Sequence, residues 1–175
     1  MTSRSLVLSL VLLAFCLSVV QAVGLLSIDY GTDSFKVSFI GPGSPFDVLM
    51  NRDSKRKTAS VVTLHGSDRH VGGDAATLST RYPLESFSGV KLLLGSNLDQ
   101  AQKELHQKLY SNKMELDSEG RLKLARPDGK DYTPQEIIGM QFAYARDMAE
   151  VASKGDKTFD TVITVCPLML GMQFF

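Results

Sequence analysis

The sequence has no tryptophan, three histidines and two cysteines, and its 19 basic side chains are matched by 19 acidic ones. Each shortage excludes something. Cys16 and Cys166 are too few to staple a small disulfide scaffold, so the fold must rest on a hydrophobic core. His65, His70 and His106 stand at spacings that match no zinc pattern, and they read as surface or loop residues. Balanced charge removes the broad basic face that a nucleic-acid binder needs to neutralise phosphates, so no nucleic-acid partner is expected. At 43% hydrophobic residues the chain also lacks the apolar-poor composition of a disordered protein. Missing too are a Gly-x-x-x-x-Gly-Lys-Ser/Thr phosphate loop, a Gly-x-Ser-x-Gly nucleophile elbow and any Asn-x-Ser/Thr acceptor.

Charge is scarcest at the amino-terminal end. Arg4 is the one charged residue in 1–22, and residues 6–20 are all small or apolar. That run is shorter than the roughly 20 residues of a membrane-crossing helix. A basic start, such a run and the ending Val20-Gln21-Ala22 describe a secretory signal peptide over residues 1–22. The alternative is an uncleaved signal anchor. Cleavage leaves no membrane segment, one acid in excess of the bases and Cys166 as the remaining thiol.

The pattern that follows is mixed. Leu25 to Ile40 alternates as two strands about the polar turn Gly31-Thr32-Asp33-Ser34, and Phe46 to Met50 reads as a third strand. Arg52 to Lys57 is a solvated basic loop before a strand at Ser60–Leu64. Gly72-Gly73-Asp74 opens a short helix, with Asp74 as its cap. Ser96-Asn97-Leu98-Asp99 starts a second helix, in which Leu98, Ala101, Leu105 and Leu109 form the apolar stripe. Turns at 117–120 and 127–129 flank a meander strand. Thr133-Pro134-Gln135-Glu136 caps a third helix, with Ile137, Met140, Tyr144, Met148 and Val151 inward and Gly155 as its stop. Phe159 to Val165 reads as a buried strand. This order implies one α/β domain built on a mixed sheet with flanking helices.

Two places carry possible chemistry. Asp29-Tyr30-Gly31-Thr32 sets a carboxylate at a strand end beside a glycine turn, where successive N–H groups can cradle a phosphate and a carboxylate can hold Mg²⁺ through water. Read alone, it is first of all an ordinary turn. Lys91 is a single cation in the apolar stretch Phe87–Gly95, which suits either a snorkelling lysine or a charge that stabilises a phosphoryl group.

Taken together and in order, these pieces resemble the amino-terminal part of the heat shock protein 70 family. Leu26-Ser27-Ile28-Asp29-Tyr30-Gly31-Thr32 resembles its first phosphate-binding hairpin, and Asn51 through Val62, with Arg56-Lys57-Thr58-Ala59-Ser60, its next strand. Val71 to Ala76, Phe87 to Gly95, Tyr132 to Glu136 and Asp160 to Pro167 follow in the family's order. The leader, Tyr30 and the Ser54–Lys57 run resemble the large endoplasmic-reticulum branch, the hypoxia up-regulated or glucose-regulated type.

The resemblance implies lobe I of an actin-like, ribonuclease-H-like ATPase fold over residues 23–167. It implies ATP or ADP with Mg²⁺ as ligands, a lumenal heat shock protein 70 chaperone and unfolded secretory proteins as partners, and residence in the endoplasmic-reticulum lumen, with secretion as the alternative. By position, Asp29 would act on Mg²⁺ through water, Gly31, Thr32 and Asp33 would face the phosphates, and Lys91 would place the attacking water. Asp33 stands where better-known members carry a second threonine, and Ala59 replaces a proline. After Pro167 the similarity stops, and residues 168–175 form a divergent tail. The lobe is therefore expected to be incomplete and ATP binding by this chain weak. A non-enzymatic interaction module or an inactive product is the alternative reading.

Overall fold

A computed structural model of the protein describes residues 24–94, 100–155 and 159–165. The leader, both cysteines, the cap at 96–99 and the tail lie outside them. Alternation fixes the first hairpin. In β1 (Gly24–Tyr30) Leu26, Ile28 and Tyr30 turn inward, and in β2 (Ser34–Gly41) Phe35, Val37 and Phe39 do so. One polar turn keeps both apolar sets on one face, because a single-residue slip would move either set to the other side. β2 continues into β3 (Ser44–Val48), two residues earlier than the sequence pattern indicated, through the tight Gly41–Ser44 connection. β4 (Thr58–Ala59) also pairs with β2, and β11 (Phe159–Val165) lies parallel to β1 along its whole length. The sheet order is β11-β1-β2-β3, which is the mixed sheet expected.

Two smaller antiparallel sheets complete the strand set. One has the order β6-β5-β7, from Asp68–Val71, Val61–His65 and Ser86–Ser88. The other is the meander β10-β9-β8, from Asp131–Tyr132, Leu122–Ala125 and Lys113–Leu116. The helices are α1 (Gly73–Ser79), α2 (Gln100–Leu109) and α3 (Pro134–Ala152), and a 3₁₀ turn spans Val90–Leu93.

Helix α3 closes the core. Its capping box is formed on both sides, Glu136 N–H donating to Thr133 Oγ1 at 3.2 Å and Thr133 N–H to Glu136 Oε2 at 2.7 Å. Ile137, Ile138, Met140, Tyr144, Ala145 and Ala149 are buried with the strand residues of β1 and β2 in one cluster. Each large aliphatic side chain so buried contributes about 1.5–3 kcal/mol. The helix ends at Ala152, and Gly155, at φ 95°, donates back to the Glu150 carbonyl.

Four expectations are corrected. Val151 is 81% exposed, because in the last turn it is Ala149 and Ala152 that pack on the core and Val151 lies on the outer side. In α2 the supposed inner stripe faces water: Leu105 and Leu109 are exposed and His106 is buried at 2% exposure. The helix is rotated so that His106 and Tyr110, rather than the leucines, meet the Ser88–Gly89 segment. Asp74 lies inside the first turn of α1 and caps nothing, since the N-cap residue is Gly72. Val162, Ile163 and Val165 are exposed, because among the described residues β11 has a strand neighbour on one edge alone.

Candidate functional site

The turn between β1 and β2 is constrained from three sides. Gly31 N–H donates to the Ser34 carbonyl at 3.1 Å, and a Cβ at Gly31 would stand 2.5 Å from that same oxygen. Glycine is required there by contact rather than by φ. From beneath, Ser60 Oγ donates to the Gly31 carbonyl at 3.1 Å and Ser60 N–H to the Asp33 carbonyl at 2.9 Å. Among the described residues the N–H groups of Thr32 and Asp33 donate to no protein acceptor, and the Asp29, Thr32 and Asp33 side chains make no hydrogen bond or ion pair. Asp29 is exposed on the face of β1 opposite Ile28 and Tyr30, flanked by Lys36 on β2 and Thr164 on β11.

Lys91 reaches this turn from the 3₁₀ segment. Its Nζ donates to the Tyr30 carbonyl at 2.8 Å and lies 5.9 Å from the Tyr30 ring centroid. The lysine is half-buried. The structure thus brings Lys91 to the residue next to Gly31, some 60 positions earlier in sequence. One strand end carries the carboxylate of Asp29 on one face and, one residue on, the carbonyl that holds the ammonium. Two free N–H groups follow in the turn. Such a constellation can bind an oxyanion by the lysine and the amides, with Asp29 available to a hydrated cation. No group of three or more His, Cys, Asp or Glu side chains placed to hold a metal directly occurs among the described residues.

The surroundings of Lys91 were not legible in sequence. Gly89 precedes the 3₁₀ turn at φ 64°, and the Tyr110 ring packs directly on it. Burial, and secondarily the negative charge of Asp33, raise the Tyr110 hydroxyl above its ordinary pKa of 10. The His106 ring packs tilted against Tyr110, with centroids 4.8 Å apart, and neither ring nitrogen meets a partner in hydrogen-bond geometry. Burial lowers its pKa below 6.5, while the carbonyls of Gly89 and Ser88 act in the opposite direction. Asn112 donates to the Ser88 carbonyl at 2.8 Å. Gln141 had one available clue: it is a polar residue on the otherwise apolar inner face of α3.

A groove of about 560 Å³ opens between α3 and strands β1 and β11, bordered by Phe142, Arg146, Asp147 and Ile163. It contains none of the candidate residues.

Comparison with known proteins identifies the family. The family model described as Hsp70 protein matches residues 25–169. Hypoxia up-regulated protein 1 of Gallus gallus is 32% identical over 158 residues, 88% of this chain and 16% of that protein. The Homo sapiens protein of the same name is 30% identical over 157 residues, 89% of this chain and 16% of its own length. Heat shock protein 70 homolog lhs1 of Schizosaccharomyces pombe is 32% identical over 156 residues, 87% and 18% of the respective chains. The chain therefore spans about one-sixth of the length of these relatives.

Proposed function

Because the chain belongs to the heat shock protein 70 family, we propose that the β1–β2 turn and Lys91 form one wall of a site for the phosphates of ATP or ADP, in a chaperone of the endoplasmic-reticulum lumen. The reading rests chiefly on one observation, the Lys91 ammonium bonded to the Tyr30 carbonyl beside a turn with two unpaired N–H groups.

In this reading Gly31 allows the close approach of an oxyanion, and the amides of Thr32 and Asp33 donate to it. Lys91 supplies the positive charge and would orient a water for attack on the terminal phosphate. Asp29, exposed and unpaired among the described residues, would hold the waters of Mg²⁺. The cation's chemistry would be to neutralise phosphate charge. Asp33 sets an additional negative charge at the turn, which weakens binding of the more highly charged triphosphate relative to the diphosphate. The partners proposed are a lumenal heat shock protein 70 chaperone, on which nucleotide exchange would act, and unfolded secretory proteins.

The test is calorimetric titration of the purified chain with Mg²⁺·ADP and Mg²⁺·ATP. Weak binding that Lys91→Ala abolishes, and whose Mg²⁺ dependence Asp29→Ala removes, supports the reading. Binding of equal strength in wild type and Lys91→Ala contradicts it.

A further inference from the structure

Tyr30 sits where the candidate site meets the core, and its surroundings exceed what packing requires. Its ring is 2% exposed, held edge-on by Phe142 at 5.1 Å and tilted against Phe35 at 6.2 Å. Its hydroxyl donates to Gln141 Oε1 at 2.5 Å, across 111 residues of sequence. Burial pushes the phenol well above its ordinary pKa, so the hydroxyl stays a neutral donor. Gln141 is 0% exposed, and its Nε2 finds no acceptor among the described residues. An amide that accepts one bond and leaves its donor unpaired in the core is destabilising relative to a satisfied one. Two apolar side chains of similar size would fill the same space without that cost. Locally unfavourable choices of this kind concentrate where a residue serves the site rather than the core.

We infer that Tyr30, anchored by Gln141, is a positioning residue for Lys91. The same residue meets the lysine twice. Its carbonyl accepts from Nζ at 2.8 Å, and the face of its ring lies 5.9 Å from Nζ. A ring locked at both its hydroxyl and its edge offers the ammonium a fixed surface, and the strand end that carries the carbonyl is tied to α3 through the phenol. Lys91 thereby keeps a single direction toward the turn before any ligand arrives, which lowers the ordering cost of binding. The inference rests on the reading of Lys91 as the phosphate-facing group, but the geometry it describes can be tested without a nucleotide.

The experiment compares two double variants in which the polar pair is removed and the core stays apolar. Tyr30→Phe with Gln141→Leu keeps the ring; Tyr30→Leu with Gln141→Leu removes it. Acetylation of Lys91 by a soluble acylating reagent is followed by mass spectrometry, with exposed Lys57 as the internal standard. Circular dichroism confirms that both variants fold. Loss of the ring is expected to raise the Lys91 rate about two- to fivefold, the range of a partly exposed cation–ring contact. The phenylalanine variant and the single variant Gln141→Leu, which keep the ring and lose its anchor, should both fall between wild type and the leucine variant. Equal Lys91 rates in the two double variants would overturn the inference. Added Mg²⁺·ADP separates the two readings: failure to protect Lys91 in wild type counts against the nucleotide site and leaves the positioning role standing.

Discussion

Gly89→Ala should be among the most damaging single-methyl additions to this protein. Gly89 is at φ 64°, a left-handed conformation that costs an L-residue roughly 1–2 kcal/mol. The added Cβ would also overlap Cε2 and Cζ of the Tyr110 ring and lie 2.8 Å from Cδ2. Retreat of that ring is opposed by His106, packed against it, so overpacking adds about 1–3 kcal/mol. The total is about 2–5 kcal/mol, a large part of the 5–15 kcal/mol that typically holds a domain together. With no tryptophan in the chain, urea unfolding is best followed by far-ultraviolet circular dichroism. Tyr110→Ala alone removes a half-buried ring. The double variant keeps the backbone penalty and loses the clash, so its destabilisation should fall below the sum of the singles by about 1–3 kcal/mol. Strict additivity would refute the argument that the Tyr110 ring sets the limit at Gly89.

Three further outcomes are expected. Thr133→Ala should cost about 1 kcal/mol in urea unfolding, Glu136→Ala less, and the double variant less than their sum, because each residue caps through the other. His106 is held neutral by burial, so the unfolded chain takes up a proton first as the pH falls below 6.5. Stability should therefore decline through that range, and His106→Met should flatten the decline. The hydrogen bond from the Arg121 side chain, with the Arg121 and Glu119 amides, holds the Asp117 carboxyl at about 2, below its usual 3.8. Its contribution is complete above 3.8 and lost as the pH falls toward 2, so Arg121→Ala should raise the carboxyl titration midpoint seen by NMR.

Much of the strand framework was legible because period-two alternation is a strong constraint: Leu26, Ile28 and Tyr30 could face only one way once Phe35, Val37 and Phe39 faced it too. Helix α3 was legible for a different reason, its capping chemistry being local to Thr133–Glu136. The orientation of α2 was not. Its leucines at 105 and 109 satisfy the helical period, but tertiary contact decided the face, and His106 and Tyr110 won because Gly89 leaves a place for an aromatic ring. The candidate site divides along the same line. Asp29, Gly31 and Thr32 form a local pattern, whereas Lys91 reaches Tyr30 only through the fold. The Tyr30–Gln141 bond spans 111 residues and had no local trace beyond one polar position on an apolar helix face.

The central claim, that the β1–β2 turn and Lys91 act together on phosphate oxygens, is tested most directly by titrating Mg²⁺·ADP into the isotopically labelled chain and following each backbone amide by NMR. The account predicts shifts concentrated at Gly31, Thr32, Asp33 and the Gly89–Lys91 segment, weak in affinity and absent in Lys91→Ala. Shifts centred elsewhere, or unchanged by Lys91→Ala, would contradict it.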